Sequence, residues 1–471
     1  MHRALVATVL MLVLPTAYGQ DRAKGDFIRS AEFRLRGDWK MDESGSDAIQ
    51  PKQNNTVSER FKLDLGFRPS EKLFAELTII HGFNFGSRSA DPMNTPDGGT
   101  DHGMNAANQP IKAPASRDLL LVNQAYATWM VTEDIKLKLG RQNYSIADGT
   151  LMGQNDWMPT PYAFEGLLAN YELEFGKFQA FAFKFRDFGF DAARSQASDP
   201  ERNAYGVNFD LKTMPEMIKS VNVHVIKDRG DAIVDQNVAD LTEKDYGRSI
   251  TRYGLSAGLA FSILDLKVWY EAMTGEYHEL AADFKKTSFS ARGDMVQAEL
   301  AARFEGFMNT RFFARYHRDS GNKDQSTRTD YDAYDPYFMN QHGAAGQMDL
   351  LSWGNLTFIE LGGSMKPLDS TSVGVAYWMF SKTETGTNAS RASTFNFAID
   401  DPSRANQDHQ ASHIGDEIDV WTEHNYGNSL STVARVGYFM PGSVFTGSLP
   451  AAASKRDQNP LQIFIEGRLT F

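Results

Sequence analysis

No cysteine occurs in the 471 residues. That excludes a disulfide framework, thiolate zinc sites, iron-sulfur clusters and cysteine nucleophiles in one step. Long apolar runs are also missing. The run Ala4 to Leu14 is eleven residues, far short of the roughly 20 that a helix needs to cross hydrocarbon, and nothing downstream is longer. A chain built this way crosses a membrane with strands or not at all. A basic surplus is absent as well: 48 Lys and Arg stand against 60 Asp and Glu, a net charge of -12, which argues against a nucleic-acid binder, because phosphate binding needs a basic face. What is present, 41% hydrophobic and 12% aromatic residues, is too much apolar surface for a disordered chain.

The N-terminus reads as a secretory leader. Met1 to Arg3 give a short basic start, Ala4 to Leu14 the apolar stretch, and Ala17-Tyr18-Gly19 the small-x-small cleavage pattern. The expected organisation is a signal peptide over 1–19 and a single domain over 20–471, with no linker into a second domain and no peptidoglycan-binding tail.

From there the chain alternates with period two, the signature of strands with one apolar and one polar face. Phe27, Ala31, Phe33, Leu35, Trp39 and Met41 share one parity, while Glu32, Arg34, Arg36, Asp38 and Lys40 share the other. Phe61, Leu63, Leu65 and Phe67 repeat the pattern against Arg60, Lys62, Asp64 and Arg68, and Pro69 to Lys72 turn into a third strand. The same grammar predicts strands near 119–130, 135–142, 163–174, 178–187, 203–211, 221–226, 252–261, 266–273, 291–304, 309–317, 354–363, 372–379, 417–424, 430–439 and 462–471, making 18 in all. In the strand near 178–187, Phe181, Phe183 and Phe185 are assigned to the outer face and Lys184 and Arg186 to the inner one.

Short turns alternate with long polar loops along the chain: eight short, nine long, with both termini on the short-turn side. The fold class expected is all-β, a closed transmembrane antiparallel barrel of about 18 strands with short periplasmic turns and long extracellular loops, in the outer membrane of a Gram-negative bacterium. The last strand ends on Phe471, in the manner of outer-membrane barrels, and that residue is assigned to membrane assembly by the barrel assembly machinery. A soluble sandwich is disfavoured because the polar parity carries so much charge. Sorted by parity, 15 Lys and Arg face 10 Asp and Glu. This modest basic surplus in the lumen favours anions, unless the charges pair into cross-strand ladders and cancel.

Three segments resemble the alginate-export family of outer-membrane porins. The first is Leu139-Gly140-Arg141-Gln142, then Asp148-Gly149, Trp157 and Phe164-Glu165-Gly166. The second is Tyr334-Asp335-Pro336-Tyr337, with His342, Gly346, Met348-Asp349 and Asn355-Leu356. The third is Gly415-Asp416-Glu417-Ile418-Asp419, leading to Gly437 and on to Gly442. The resemblance implies an 18-stranded monomeric channel for polar or charged solutes such as acidic saccharides, in which arginines meet carboxylates in bidentate fashion. Thr150 and Glu165 depart from the family's usual arginine and aspartate. The residues assigned to the permeation path are Arg34, Arg36, Arg60, Lys62, Lys138, Arg141, Arg186, Arg311 and Arg315.

Two other classes remain open on the residues alone. A barrel hydrolase would need a nucleophile with a histidine and a carboxylate, and no such motif accompanies the ten histidines. A structural or adhesive surface protein would have a plugged lumen. No cofactor or metal is expected: Asp330, Asp332, Asp335, His342 and Asp349 share a loop, but their spacing is not that of a calcium loop. Arg229-Gly230-Asp231 reads as a chance tripeptide, and Trp39, Trp129, Tyr270 and Tyr438 as girdle aromatics.

Overall fold

The computed structural model describes residues 27–41, 53–85, 119–185, 202–212, 215–230, 247–280, 286–322, 330–351, 353–386, 408, 410–446 and 458–471. Nineteen strands occur in chain order: β1 (Ile28–Met41), β2 (Gln53–Ser70), β3 (Leu73–Phe85), β4 (Leu119–Met130), β5 (Ile135–Gln142), β6 (Phe164–Leu173), β7 (Gly176–Phe185), β8 (Arg202–Leu211), β9 (Ile218–Gly230), β10 (Gly247–Phe261), β11 (Leu264–Leu280), β12 (Lys286–Phe304), β13 (Thr310–Asp319), β14 (Asp330–Tyr331), β15 (Leu356–Leu368), β16 (Thr371–Lys382), β17 (His413–Tyr426), β18 (Leu430–Pro441) and β19 (Leu461–Thr470).

Each long strand pairs antiparallel with its neighbours in sequence, and β1 pairs with both β2 and β19. Closure leaves no free edge. The two-residue β14 is not a stave of the barrel. It lies parallel to β12 beside Ser290 and Ala291, above the point where the shorter β13 stops pairing, so β13 bonds directly to β15. The remaining 18 strands are the expected number. The backbone of Phe471 extends the closing seam, its N–H donating to the Ala31 carbonyl at 2.9 Å.

Alternation sorts the two faces. Leu35, Val225, Tyr253, Leu300, Leu361 and Val436 point outward and are exposed, while their neighbours Arg34, Ile226, Arg252, Glu299, Glu360 and Arg435 point inward. The strand β7 reverses the expected assignment. Phe181 and Phe183 are buried on the inside, and Lys184 lies on the outer parity with Phe178 and Ala182. The reason lies in what the lumen holds: Tyr144 from the segment after β5 packs on both rings, with centroids at 5.0 and 5.5 Å.

The lumen is occupied in part by two segments that fold inward. One spans 143–163 between β5 and β6; the other spans 332–355 between β14 and β15. The first places Ile146, Met152 and Tyr162 against Phe164, Phe181 and Phe183. The second packs Met348, Leu350 and Trp353 against a strip of inward aromatics, Phe358, Trp378, Phe380 and Phe439. Each fully buried aromatic contributes on the order of 1.5–3 kcal/mol, so these apolar strips fix the segments to the wall.

Candidate lumen site

On the wall formed by β19, β1 and β2, the inward parity carries Arg34, Arg36 and Arg60, with Arg34 directly opposite Arg60 across the β1–β2 pair. Like charges so placed persist only with compensation, and each has it. Arg36 grips Glu466 at 2.7 Å. Arg60 pairs with Glu32 at 2.5 Å and with Asp156 of the first inward segment at 3.0 Å. Arg34 donates to three successive carbonyls of that segment, Asp156 at 2.9 Å, Trp157 at 3.3 Å and Met158 at 3.1 Å. Arg34 and Arg60 are only 3% and 2% exposed. They fasten the segment to the wall and do not present charge to the lumen. Burial alone would raise the Asp156 carboxyl, but Arg60, with Arg34 behind it, outweighs burial and holds it below the usual carboxylate range.

The second inward segment is fastened on the opposite wall. Arg252 and Arg248 both donate to Asp335 at 3.3 Å, and the Tyr277 hydroxyl adds a bond at 3.0 Å. Behind Arg252 stands Glu271 at 3.2 Å, with His224 3.4 Å from the same carboxylate. Glu417 accepts the backbone N–H groups of Gln347 at 2.6 Å and Met348 at 3.1 Å. Arg315 bonds Glu360 at 2.7 Å and the Gly343 carbonyl at 3.2 Å.

The two segments meet in a seam. The N–H of Gly153 donates to Phe338 at 2.7 Å, that of Asn340 to Gly149 at 2.8 Å, and that of Asn155 to the Asn340 side chain at 2.7 Å. Trp157 lies flat on the His342 ring, centroids 3.4 Å apart and planes within 4°, and the Arg36 guanidinium sits 3.8 Å from the Trp157 ring. Arg435 of β18 donates to His342 Nε2, so His342 Nδ1 donates to Asp349 at 2.7 Å. Burial lowers the His342 pKa, in keeping with this neutral tautomer.

The other residues assigned to the path stand apart. Lys62 lies 3.5 Å from Asp64. Lys138, over the Tyr126 ring at 3.6 Å, makes no ion pair among the described residues; it shares the inward parity with Lys136, and Lys177 of β7 shares that of Gln179. These lysines lie in the first residues after short turns. Arg311 is paired with Glu299. Arg141 is on the outer parity with Leu139, which is 63% exposed, and faces Glu165 at 3.4 Å. Arg186 lies outside the described residues. Arg435, Arg248 and Trp157 fall outside that assignment: Arg435 is flanked by Ala434 and Val436, so its strand shows little polar alternation, and loop residues such as Trp157 have no periodicity to read.

The three segments that carry the family resemblance thus come together inside one lumen: Gly149 and Trp157 against Asn340 and His342, and Gln347 and Met348 against Glu417. The family model for alginate export matches residues 96–458. No curated protein matches the chain by sequence. Solved structures similar to it include Pseudomonas aeruginosa OccK11 (OpdR), at 13% identity and TM-score 0.53, covering 95% of this chain and 98% of that one. Pseudomonas aeruginosa OccK8 (OprE) is similar at 12% identity and TM-score 0.53, covering 95% and 100%. At such identities the likeness concerns the fold. With a family match over most of its length and a closed 18-stranded barrel, the chain belongs to the alginate-export family of outer-membrane porins.

Proposed function

We propose that the protein is a channel in the outer membrane of a Gram-negative bacterium, passing polar solutes by passive diffusion with a preference for anions such as acidic saccharides. The observation that carries the reading is a closed barrel with an apolar outside and a charged inside, narrowed by two anchored segments. The anion preference rests on a different group from the arginines: Lys136, Lys138 and Lys177 face the lumen near the short-turn mouth, with Lys62 on the same parity of β2. Glu172 and Asp210 stand opposite Lys177 in register and Asp64 lies beside Lys62, so Lys138, over the Tyr126 ring without an ion pair among the described residues, is the ammonium left to meet a passing carboxylate. Residues 1–19 are read as a leader removed on export, and the barrel as a monomer whose partners are outer-membrane lipid and the barrel assembly machinery. A channel is favoured over an enzyme because the family consists of channels and the buried carboxylates described here hold arginines and backbone amides. In a planar bilayer with asymmetric KCl, the reversal potential should move toward the chloride equilibrium potential. A potential on the potassium side would contradict the anion preference, and absence of conductance would contradict the channel.

A further inference from the structure

The short turns divide into two contiguous halves that differ in exposed apolar residues, although Glu174, Lys212, Glu216 and Glu305 also stand in the turns of the first. From β6 to β13, every turn carries an exposed apolar residue: Phe175, Met217, Ile263, then Phe307 and Met308 together. From β15 round through the closing seam to β5, the turns are Asp369-Ser370, Gly427-Asn428-Ser429, Glu71-Lys72 and Val131-Thr132-Glu133-Asp134, in which Val131 is half-buried. The apolar turns continue the outward belt without a break: Phe175 packs on Phe209 at 6.0 Å, and Phe304 on Phe312 at 6.1 Å just before Phe307. Phe307 is 62% exposed, more than the mid-belt residue Leu300 at 50%.

The upper limit of the belt differs between the halves too. On β5, β6 and β7, Arg141, Glu165 and Lys184 stand opposite one another in register on the outer face. From Lys184 down to Gly176 is eight residues, about 26 Å along the strand and, at a tilt of 35–45°, about 20 Å along the membrane normal. That falls short of an apolar band about 25 Å tall. On β1 the outward positions Ala31, Phe33, Leu35, Gly37, Trp39 and Met41 are apolar throughout, and their ten-residue span gives about 33 Å along the strand and about 25 Å along the normal.

We propose that the barrel sits unevenly in the bilayer, with the turns of the β6–β13 half seated in the periplasmic leaflet as a lipid-binding sill while the turns of the other half stand in water. The occupant of the sill is a lipid surface because the apolar turns extend the belt that lipid already covers, and because the shortened belt above β7 needs Phe175 to complete the band. This inference rests on the membrane placement proposed above.

The cysteine-free chain allows a direct test. Single variants Phe307→Cys, Ile263→Cys and Ser429→Cys, with Leu300→Cys as a mid-belt control, are labelled with a small fluorophore in phospholipid nanodiscs, and folding is checked by heat-dependent mobility. Phe175→Cys replaces either apolar-turn variant that fails to fold. Nitroxide-bearing phosphatidylcholine should quench the labels at 307 and 263 at least twofold more than the label at 429, and aqueous iodide should show the reverse order. Equal quenching in both halves, or labels at 307 and 263 shielded from both quenchers as under a protein partner, overturns the proposal. If the label at 300 escapes the lipid quencher, the membrane placement itself fails and the sill with it.

Discussion

The arginines of β1 and β2 and Lys138 near the short-turn mouth are basic groups on the lumen face that differ in how far their charge is compensated. Arg34 and Arg60 are buried and saturated by Glu32, Asp156 and backbone carbonyls. Lys138 touches the Tyr126 ring and has no ion-pair partner among the described residues. The planar guanidinium, with five donors in fixed directions, suits a fastener that must satisfy several acceptors at once; a single ammonium on a flexible stem suits transient contact. Lumen charge therefore does not by itself mark the path of a solute. What decides is whether the charge is already compensated.

The largest way to break this contrast is to cut a fastener. Arg60→Ala removes both of its carboxylate partners' cation and should cost about 2–4 kcal/mol, below the roughly 3–5 of a fully buried pair because Asp156 is partly exposed. The released 143–163 segment should widen the lumen, so single-channel conductance should rise and protease should reach residues near 156; unchanged values for both would remove Arg60 from its anchoring role. Phe183→Ala attacks the same segment from its apolar side without touching charge. It should lower the unfolding midpoint by an amount comparable to about 3 kcal/mol, with ion selectivity intact, and a change in selectivity would show that the apolar strip also shapes the path.

A smaller effect is expected from pH. Because burial lowers the His342 pKa, the unfolded chain binds the proton more readily, and stability from this site is present above about pH 6.5 and lost as pH falls through that range. Flickering of the open channel should increase between pH 7 and pH 5, and His342→Gln should remove that dependence. A wild-type record that stays flat over the same interval would show that Asp349 stabilises the protonated ring well enough to hold the seam against repulsion from Arg435 and Arg36.

How much of this could be read beforehand varied with the kind of element. Period-two alternation located the strands because a barrel wall imposes it, and the parity of Arg34, Arg36 and Arg60 followed directly. The same rule put Arg141 with Leu137 and Leu139; only the family resemblance placed it on the path, and the structure keeps it outside. Alternation also misplaced Phe181 and Phe183, since aromatic side chains are equally at home against lipid and against an inward segment, and the partner that decides is Tyr144, 37 and 39 residues away in sequence. The anchoring roles of Asp156 and Asp335 escape for the same reason, although Asp335 stands in a segment of family resemblance: an irregular segment carries no period from which its direction can be inferred.

The central claim is tested most directly by comparing two triple variants in one bilayer assay with asymmetric KCl: Arg34→Gln/Arg36→Gln/Arg60→Gln and Lys136→Gln/Lys138→Gln/Lys177→Gln. The account predicts that the lysine variant shifts the reversal potential toward cation preference at nearly unchanged conductance and stability. The arginine variant should change conductance and stability while moving the reversal potential less. The opposite pattern, with the arginine variant controlling selectivity and the lysine variant silent, would contradict the division between fasteners and solute-facing charge.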